Sequence, residues 1–299
     1  EIVASVVEGR LTLCQGIQGF PEAANRRAFV PDEDIQYYSL CDDFGPMNLS
    51  SVAKFVRQLD EELSQHPSDC LYYVVEDGPR ALTNAIFLLG SYLIFAKEYT
   101  IRKVLTTFSW AQSTLIEEYR DATFCKIDFR LSLEDTWRGL MKGIEKGWIR
   151  YNVTAQNFEG MIDIDEYDHY ENPLNGDMHY VVPDKFVAFK GPVDLGADEY
   201  RDDDDGFRDF SPNYYACVFK HIGVTAVVRL NESHYNGDQF TAQGLEFHDL
   251  HFDDCTPPPR HIVSSFFSAV DRTPGMVAVH CKAGLGRTGT LIALYLMRS

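Results

Sequence analysis

Apolar residues recur at helical spacing or in short runs along most of the chain, and this pattern predicts its elements. In the first half, helical spacing over residues 51–66, 82–99 and 136–149 predicts three helices, and the apolar run CLYYVVE over 70–76 predicts a strand. The most apolar stretch, Ala85–Ala96, is too short to cross a bilayer, so we expect a buried helix there.

The second half alternates between strand-like and helix-like segments. In order, the pattern predicts strand 185–191, helix 211–223, strand 224–231, strand 245–252, helix 259–273, strand 276–280 and helix 287–297. Such alternation favours an α/β sheet with short, apolar, partly parallel strands.

Two polar segments interrupt these elements. The acidic segment Gly160–Asp177 is broken by Pro173 and Gly176 and predicts a connection. The segment Asp198–Asp209, DEYRDDDDGFRD, predicts a solvated and mobile loop because like charges repel one another.

A weak internal repeat relates the two halves. Tyr73–Phe95 and Ala278–Met297 share the order strand, glycine-containing turn and apolar helix, which places Glu76 opposite Cys281 and Leu82 opposite Arg287. One interpretation is a duplicated fold whose first copy lacks both chemical groups. The alternative is a coincidence between two strand–turn–helix units.

Composition narrows the class of protein. The 299 residues are enough for about two domains, and 45% of them are hydrophobic. The net charge of −18 argues against a nucleic acid or an anionic membrane as the main partner, since both require a positive face. Seven scattered cysteines form no C-x-x-C pair and favour a reducing compartment, and no H-E-x-x-H motif supports a metal site. Because the chain begins with Glu1, we expect a fragment or a processed protein.

The segment VHCKAGLGRTG carries the candidate chemistry. Cys281 follows the predicted strand 276–280, and Arg287 opens the predicted helix. A loop between a strand and a helix N-terminus presents unpaired N–H groups to an anion, and glycines allow its tight curve. We therefore expect a phosphate group to be held by residues Lys282, Ala283, Gly284, Leu285, Gly286 and Arg287.

The same electrostatic field favours a thiolate, so Cys281 is the candidate nucleophile. Thr288 can donate its hydroxyl to the sulfur when Cys281 leaves. The loop is not a Walker motif, because it lacks the terminal lysine and Ser/Thr pair. The alternative interpretation is a buried structural cysteine beside a glycine-rich turn.

Expelling an alkoxide requires a proton donor from a second loop. The segment HFDDCTPP over residues 251–258 ends the preceding strand and offers Asp253 and Asp254. The residues alone leave both carboxylates open, and they also allow a simple Asx turn before proline.

With these residues assembled, the chain closely resembles the cell-division-cycle-fourteen phosphatases, the mitotic-exit branch of the dual-specificity protein phosphatases. The segments that carry the resemblance occur in the family's order and together cover most of residues 35–299: DFGPMNL, DEYDHYEN with NGD, VPDKFVAFKGP, VTAVVRLN and VHCKAGLGRTGTLIA.

The resemblance implies two tandem dual-specificity-phosphatase-like domains joined by a linker helix. Their expected limits are a non-catalytic domain at 1–155, an acidic linker at 156–180 and a catalytic domain at 181–299. The catalytic domain is expected to be incomplete at its C-terminus, where the family continues with further helices and a glutamine-bearing loop. The family's acid precedes its nucleophile by 27 residues, which selects Asp254, and Cys255 stands where the family usually has glycine.

The implied reaction is hydrolysis of phosphoserine, phosphothreonine or phosphotyrosine through a phosphocysteine, without a metal or another cofactor. Family members prefer phosphoserine followed by proline and a nearby basic residue, which they bind in an acidic groove. The matching positions are Asp121, Asp168, Tyr170, Glu171 and Asp177, of which Asp168 replaces the family's usual glutamate. The expected partners are phosphoproteins modified by proline-directed kinases, in the nucleus or cytoplasm.

Two alternatives stay open. A phosphoinositide phosphatase shares HCKAG but usually has a second lysine where this chain has Leu285. A phosphoprotein-binding module without activity would not need Cys281, Arg287 and Asp254 together.

Overall fold

The computed structural model describes residues 1–17, 25–39, 41–122, 126–127, 129–204 and 206–298. The chain divides into two compact units, Glu1–Ile164 and Asp165–Ser299. Each unit has its own β-sheet packed with helices, which confirms the predicted α/β class. The separate linker at 156–180 stays a prediction.

The first unit is built around a four-stranded sheet of order β1-β2-β4-β3, in which β2 and β3 run parallel to β4 and β1 is antiparallel to β2. Its elements are β1 (Ile2–Val7), β2 (Leu11–Gln15), β3 (Arg26–Phe29), α1 (Leu49–Gln65), β4 (Cys70–Val75), α2 (Pro79–Lys97), α3 (Ile101–Thr107), β5 (Tyr119–Arg120), β6 (Arg130–Leu131), α4 (Leu133–Glu145), β7 (Arg150–Asn152) and β8 (Asn157–Glu159). The strand and the three helices predicted in this half are confirmed.

Helix α2 is the core helix of the first unit. Trp137 lies against Gly90, where a Cβ atom would come within 2.3 Å of the indole ring, and its Nε1 donates to Phe87 O at 3.2 Å. Among the described residues, α2 is the one helix long and apolar enough to cross a membrane, but 83% of that stretch is buried inside the unit. Burial against α1 and α4 therefore accounts for its apolar sequence, as expected for Ala85–Ala96.

The second unit contains a five-stranded sheet of order β14-β13-β15-β10-β9. Its elements are α5 (Ile164–Glu171), β9 (Met178–Val182), β10 (Phe186–Phe189), β11 (Tyr200–Asp202), β12 (Arg208–Phe210), α6 (Pro212–Ile222), β13 (Val224–Arg229), α7 (Asp238–Thr241), β14 (Glu246–Asp249), α8 (Arg260–Arg272), β15 (Met276–His280) and α9 (Gly286–Arg298). Within the five-stranded sheet, all neighbouring strands are parallel except β9, which is antiparallel to β10.

Alternate residues of the second sheet face opposite layers. Val187 and Ala278 belong to the apolar cluster that includes residues of α6, whereas Ala188 and Val279 belong to the cluster formed with α8 and α9. Since both faces are covered, the central strands are continuous apolar runs, and β15 is buried along its whole length.

The structure corrects the expectation of an acidic loop at 198–209, and it places a helix within the predicted connection, where the resemblance implies a linker helix. Within the supposed acidic loop, β11 and β12 form an antiparallel hairpin, because Arg208 donates to both carboxylate oxygens of Asp202 at 2.6 and 2.8 Å and stacks 3.9 Å from the Tyr200 ring. Within the supposed connection, α5 forms, and Asp165 and Glu166 in its first turn complement the helix dipole.

Candidate active site

The candidate nucleophile lies at the carboxyl edge of the second sheet. Strand β15 lies between β13 and β10 and ends at His280, and α9 begins at Gly286. Residues 281–285, the Cys281 loop, therefore join the end of a parallel strand to a helix N-terminus. The first N–H groups of a helix lack intrahelical acceptors and favour an anion at this position.

Cys281 lies at the base of this loop and is only 4% exposed. Burial by itself raises the pKa of the Cys281 thiol. The Thr288 hydroxyl, which has no other hydrogen-bond partner among the described residues, and three backbone N–H groups oppose the effect of burial, and together they hold this pKa below its ordinary value. Those N–H groups belong to Thr288, Leu285 and Gly284. The sulfur is thus stabilised as the thiolate, which is the nucleophilic form.

The end of β10 fixes the shape of the loop by close backbone contact. Gly284 has a φ of +71°, and a Cβ atom there would lie 2.4 Å from Phe189 O. Gly191 N donates to Lys282 O at 3.0 Å, and a Cβ atom on Gly191 would lie 2.3 Å from Cys281 O. Both positions therefore require glycine.

Arg287, in the first turn of α9, is 5% exposed and points into the same site. Its Nη1 donates to Phe252 O at 3.1 Å, and its Nη2 donates to Asp254 Oδ2 at 3.4 Å. Its Nε is buried and has no partner among the described residues. A buried donor without an acceptor is uncommon, so the guanidinium still has capacity for an anion.

Asp254, the candidate acid, lies next to Arg287. Its side chain is 62% exposed, and its Oδ1 accepts from Cys255 N at 3.0 Å. Cys255 has a φ of +57°, so it adopts the left-handed conformation that glycine usually takes. The neighbouring Asp253 accepts from the Thr256 hydroxyl at 2.7 Å through its backbone oxygen.

A buried hydrogen-bond network below the loop was missed from the sequence. His280 is fully buried, with Nδ1 2.9 Å from Cys281 O and Nε2 2.6 Å from the Tyr235 hydroxyl. Burial lowers the pKa of His280 to about 3, and burial also raises the pKa of Tyr235. The ring is therefore neutral: Nδ1–H donates to the Cys281 carbonyl, and the Tyr235 hydroxyl donates to Nε2.

Arg229 extends this network across the sheet. It is 4% exposed, donates to Tyr235 O at 2.7 Å, and forms a two-point ion pair with Asp249 at 3.1 and 2.5 Å. Glu232, in the loop after β13, lies 3.8 Å from Arg287 through its Oε2. Charged residues at the ends of apolar strands, as in VVRLN and FHDLH, were the available sequence signal.

The five acidic-groove candidates fall in different places. Asp168, Tyr170 and Glu171 lie within one turn of α5 and are partly buried. Asp177 follows that helix by one short connection, and Asp121 belongs to the first unit. Asp121 Oδ1 is buried and has no hydrogen-bond partner among the described residues.

Asp177 is connected to the Cys281 loop through the two residues that follow β10. Its carbonyl accepts from Lys190 N at 3.0 Å, and the next residue, Gly191, is bonded to Lys282 O. Asp177 has a φ of +47°, an uncommon conformation for a non-glycine residue. Burial raises the pKa of its carboxyl, while the charges of His179 and Lys190 lower it, and the net shift is upward.

The described residues contain no group of three or more His, Cys, Asp or Glu side chains placed to hold a metal ion. Three features define the class of protein. The sheet is largely parallel, a buried cysteine stabilised as the thiolate follows its central strand, and an arginine lies in the next helix. These features are those of the cysteine-dependent phosphatase superfamily.

Comparison with known proteins agrees with that class. A family model described as "Dual specificity protein phosphatase, N-terminal half" matches residues 5–143, and one described as "Polymorphic toxin system, DSP-PTPase phosphatase" matches residues 210–299. Dual specificity protein phosphatase CDC14A of Homo sapiens is 36% identical over 92% of this chain and 44% of its own length. Tyrosine-protein phosphatase CDC14 of Saccharomyces cerevisiae is 30% identical over 93% of this chain and 50% of its own length.

The chain belongs to the CDC14 family of dual-specificity protein phosphatases. The predicted architecture of two tandem phosphatase-like domains is confirmed. The chain spans about half the length of the curated relatives it matches.

Proposed function

We propose that this chain carries a protein phosphatase activity that uses Cys281 as its nucleophile. The observation that carries the proposal is the convergence on one loop of a buried cysteine with a lowered pKa and a buried arginine with an unpaired Nε–H. Asp254, an exposed carboxylate, lies 3.4 Å from the same guanidinium.

In the first step, the Cys281 thiolate attacks phosphorus and the Sγ–P bond forms. The bond between phosphorus and the side-chain oxygen breaks, and Asp254 gives its proton to the leaving oxygen. In the second step, Asp254 takes a proton from water, the water oxygen bonds to phosphorus, and the Sγ–P bond breaks to release inorganic phosphate. Arg287 and the N–H groups of the loop hold the equatorial oxygens throughout.

The Thr288 hydroxyl stabilises negative charge on the Cys281 sulfur in both steps. Its hydroxyl favours the thiolate in the free enzyme, and it stabilises the same charge when Cys281 leaves phosphorus. His280 holds the Cys281 carbonyl at 2.9 Å and positions the loop without exchanging a proton, because it is neutral over the working pH range.

For substrates, we infer phosphoserine followed by proline and a nearby basic residue, in proteins of the cell cycle. Support comes from the link between Asp177 and the Cys281 loop and from the net charge of −18. A carboxylate attracts a Lys or Arg side chain of the substrate. Asp121, Asp168, Tyr170 and Glu171 are proposed to contribute to the same selection.

The test is phosphate release from a phosphoserine-proline-x-lysine peptide by the protein and by Cys281→Ser. We expect no measurable turnover by the variant and a covalent phosphoenzyme only with the native cysteine. Equal activity of the two proteins would contradict the proposed nucleophile.

A second comparison tests the substrate class. We expect the lysine peptide to be preferred over its alanine counterpart, and Asp177→Asn to reduce that preference without abolishing hydrolysis of a small aryl phosphate. Faster hydrolysis of phosphoinositide vesicles than of either peptide would reject the protein substrate and favour the phosphoinositide alternative.

A further inference from the structure

We propose that the first unit carries a second binding site, which takes a Lys or Arg side chain on an extended segment of a partner protein. The site is a cavity of about 700 Å³ at the carboxyl end of β4 and the N-terminus of α2. This is the position in the first unit that corresponds to the Cys281 loop in the second. Residues 76–78, the Glu76 loop, join β4 to α2 there.

The charge of the cavity selects a cation. Four carboxylate residues line it, namely Asp32, Glu33, Asp43 and Glu76. The one Lys or Arg among its lining residues is Arg80. Its charge is already balanced, because its guanidinium contacts Asp42 at 3.0 Å and Glu117 at 3.0 and 3.1 Å. The cavity is therefore strongly negative and complements a positively charged group.

The Glu76 loop also excludes the ligand that its counterpart is proposed to bind. It has three residues, against five in the Cys281 loop, and it places a carboxylate where the second unit has a thiolate. Pro79, at the first position of α2, has no N–H to offer. A phosphate would therefore meet repulsion without a set of converging donors.

Apolar and aromatic groups in and beside the cavity favour a protein partner. Tyr37, Phe44 and Tyr73 line it. Phe44 and Tyr73 are 3% and 7% exposed, so the partly buried Tyr37 is the ring that can contact the stem of a basic side chain. At its rim, Val30 is 76% exposed, and Tyr38, next to the lining residue Tyr37, is 74% exposed. Large exposed side chains grouped beside a pocket are typical of protein interaction sites.

Asn84 supplies an independent indication of a ligand. It lines the cavity, is 6% exposed, and accepts through Oδ1 from the Tyr119 hydroxyl at 3.0 Å. Its Nδ2 donates to no acceptor among the described residues. This amide donor lies at the cavity wall, where a backbone carbonyl of a docked segment can accept a hydrogen bond from it.

Binding can be measured by NMR with ¹⁵N-labelled protein and Nα-acetylarginine N-methylamide, which carries one cation and peptide carbonyls. We expect saturable shifts of the Asn84 side-chain amide and the Gly78 backbone amide. The matched control ligand is Nα-acetylcitrulline N-methylamide, which keeps the shape and lacks the charge. Equal shifts with both ligands, or no saturable shift at these two positions, would overturn the proposal.

The double variant Glu33→Gln/Glu76→Gln tests the carboxylates. Both side chains are exposed, so the fold should persist, and we expect the dissociation constant for the arginine ligand to rise at least about threefold. Glu8→Gln/Glu98→Gln makes the same charge change outside the cavity and should bind like the native protein. An unchanged dissociation constant in the first variant would overturn the proposal. Hydrolysis of a small aryl phosphate by each variant reports on the phosphatase site separately.

Discussion

The two units contain the same strand–loop–helix arrangement with different chemistry. In each, a strand with a parallel neighbour on both sides ends in a loop that leads into a helix. The second residue of that helix is an arginine, which is Arg80 in α2 and Arg287 in α9. The sequence comparison wrongly placed Leu82 opposite Arg287, because it did not allow for a loop that is two residues shorter. Leu82 is a fully buried core residue of α2.

The comparison shows that the neighbours of an arginine decide what it can bind. Arg80 forms ion pairs with Asp42 and Glu117 at about 3.0 Å, whereas Arg287 lies 3.4 Å from Asp254 and 3.8 Å from Glu232 and keeps an unpaired Nε–H. The five-residue loop allows N–H groups to converge on Cys281, and the three-residue loop does not. The proposed cation site therefore differs from the proposed anion site in its shorter loop and its larger number of carboxylates.

The largest expected effect separates the two arginines. We expect Arg287→Lys to lower kcat/KM for a small aryl phosphate roughly 10²- to 10³-fold, because lysine cannot make the two-point contact to equatorial oxygens. Arg80→Lys is the matched control and should keep activity within about twofold, since an exposed ion pair contributes about 1 kcal/mol or less to stability. Steady-state kinetics and thermal melting measure both. Similar losses in the two variants would contradict the assignment of one active half.

A somewhat smaller effect is expected at the proposed acid. Asp254→Asn should slow hydrolysis of a phosphoserine peptide about 10²-fold, because the serine oxygen needs a proton to leave. A phenolic ester with an acidic leaving group should be affected much less. Asp253→Asn, in the same loop, is the control. If Asp253→Asn gave the larger loss, the proton donor would be the neighbouring residue.

Alanine substitutions at Gly284 and Gly78 distinguish the effect of a steric clash from the effect of backbone strain alone. Gly284→Ala forces a Cβ atom against the carbonyl oxygen of Phe189 at the end of β10, so we expect at least about a tenfold loss of activity through displacement of the loop. At Gly78, φ is +121°, but a Cβ atom added there would have no atom within 4 Å. Gly78→Ala should therefore cost about 1–3 kcal/mol of unfolding free energy and leave the activity of the folded fraction unchanged. Chemical denaturation and kinetics on the same samples test this.

Local features of both units could be predicted from the sequence. The strand 276–280, the helix after it and the Cys281 loop are contiguous, so apolar runs, glycines and one cysteine were enough to locate them. The role of Asp254 came from the family spacing, since two adjacent aspartates cannot be distinguished by pattern. Its 3.4 Å approach to Arg287 is consistent with that choice.

What the sequence could not provide depends on strand order. Tyr235 and His280 are 45 residues apart, and they meet because β13 lies next to β15 in the sheet. The hairpin at 200–210 depends on Arg208, which pairs with Asp202 on the opposite strand. The number of acidic residues in this segment does not predict that pairing. The equivalence of Arg80 and Arg287 required knowing where each helix begins.

The smallest expected effect concerns the Thr288 hydroxyl. Because the thiolate reacts, the rate rises with pH through the Cys281 pKa, and a lowered pKa moves this rise to lower pH. Thr288→Val removes a group that lowers this pKa, so the acidic limb of kcat/KM should move to higher pH while the rate on the plateau changes little in the first step. The pH dependence of Cys281 alkylation by iodoacetamide gives the same pKa without turnover. If the acidic limb of kcat/KM stayed in place or moved to lower pH, the backbone N–H groups alone would stabilise the thiolate. The difference between the two units would then come from the length of the loop and not from the Thr288 hydroxyl.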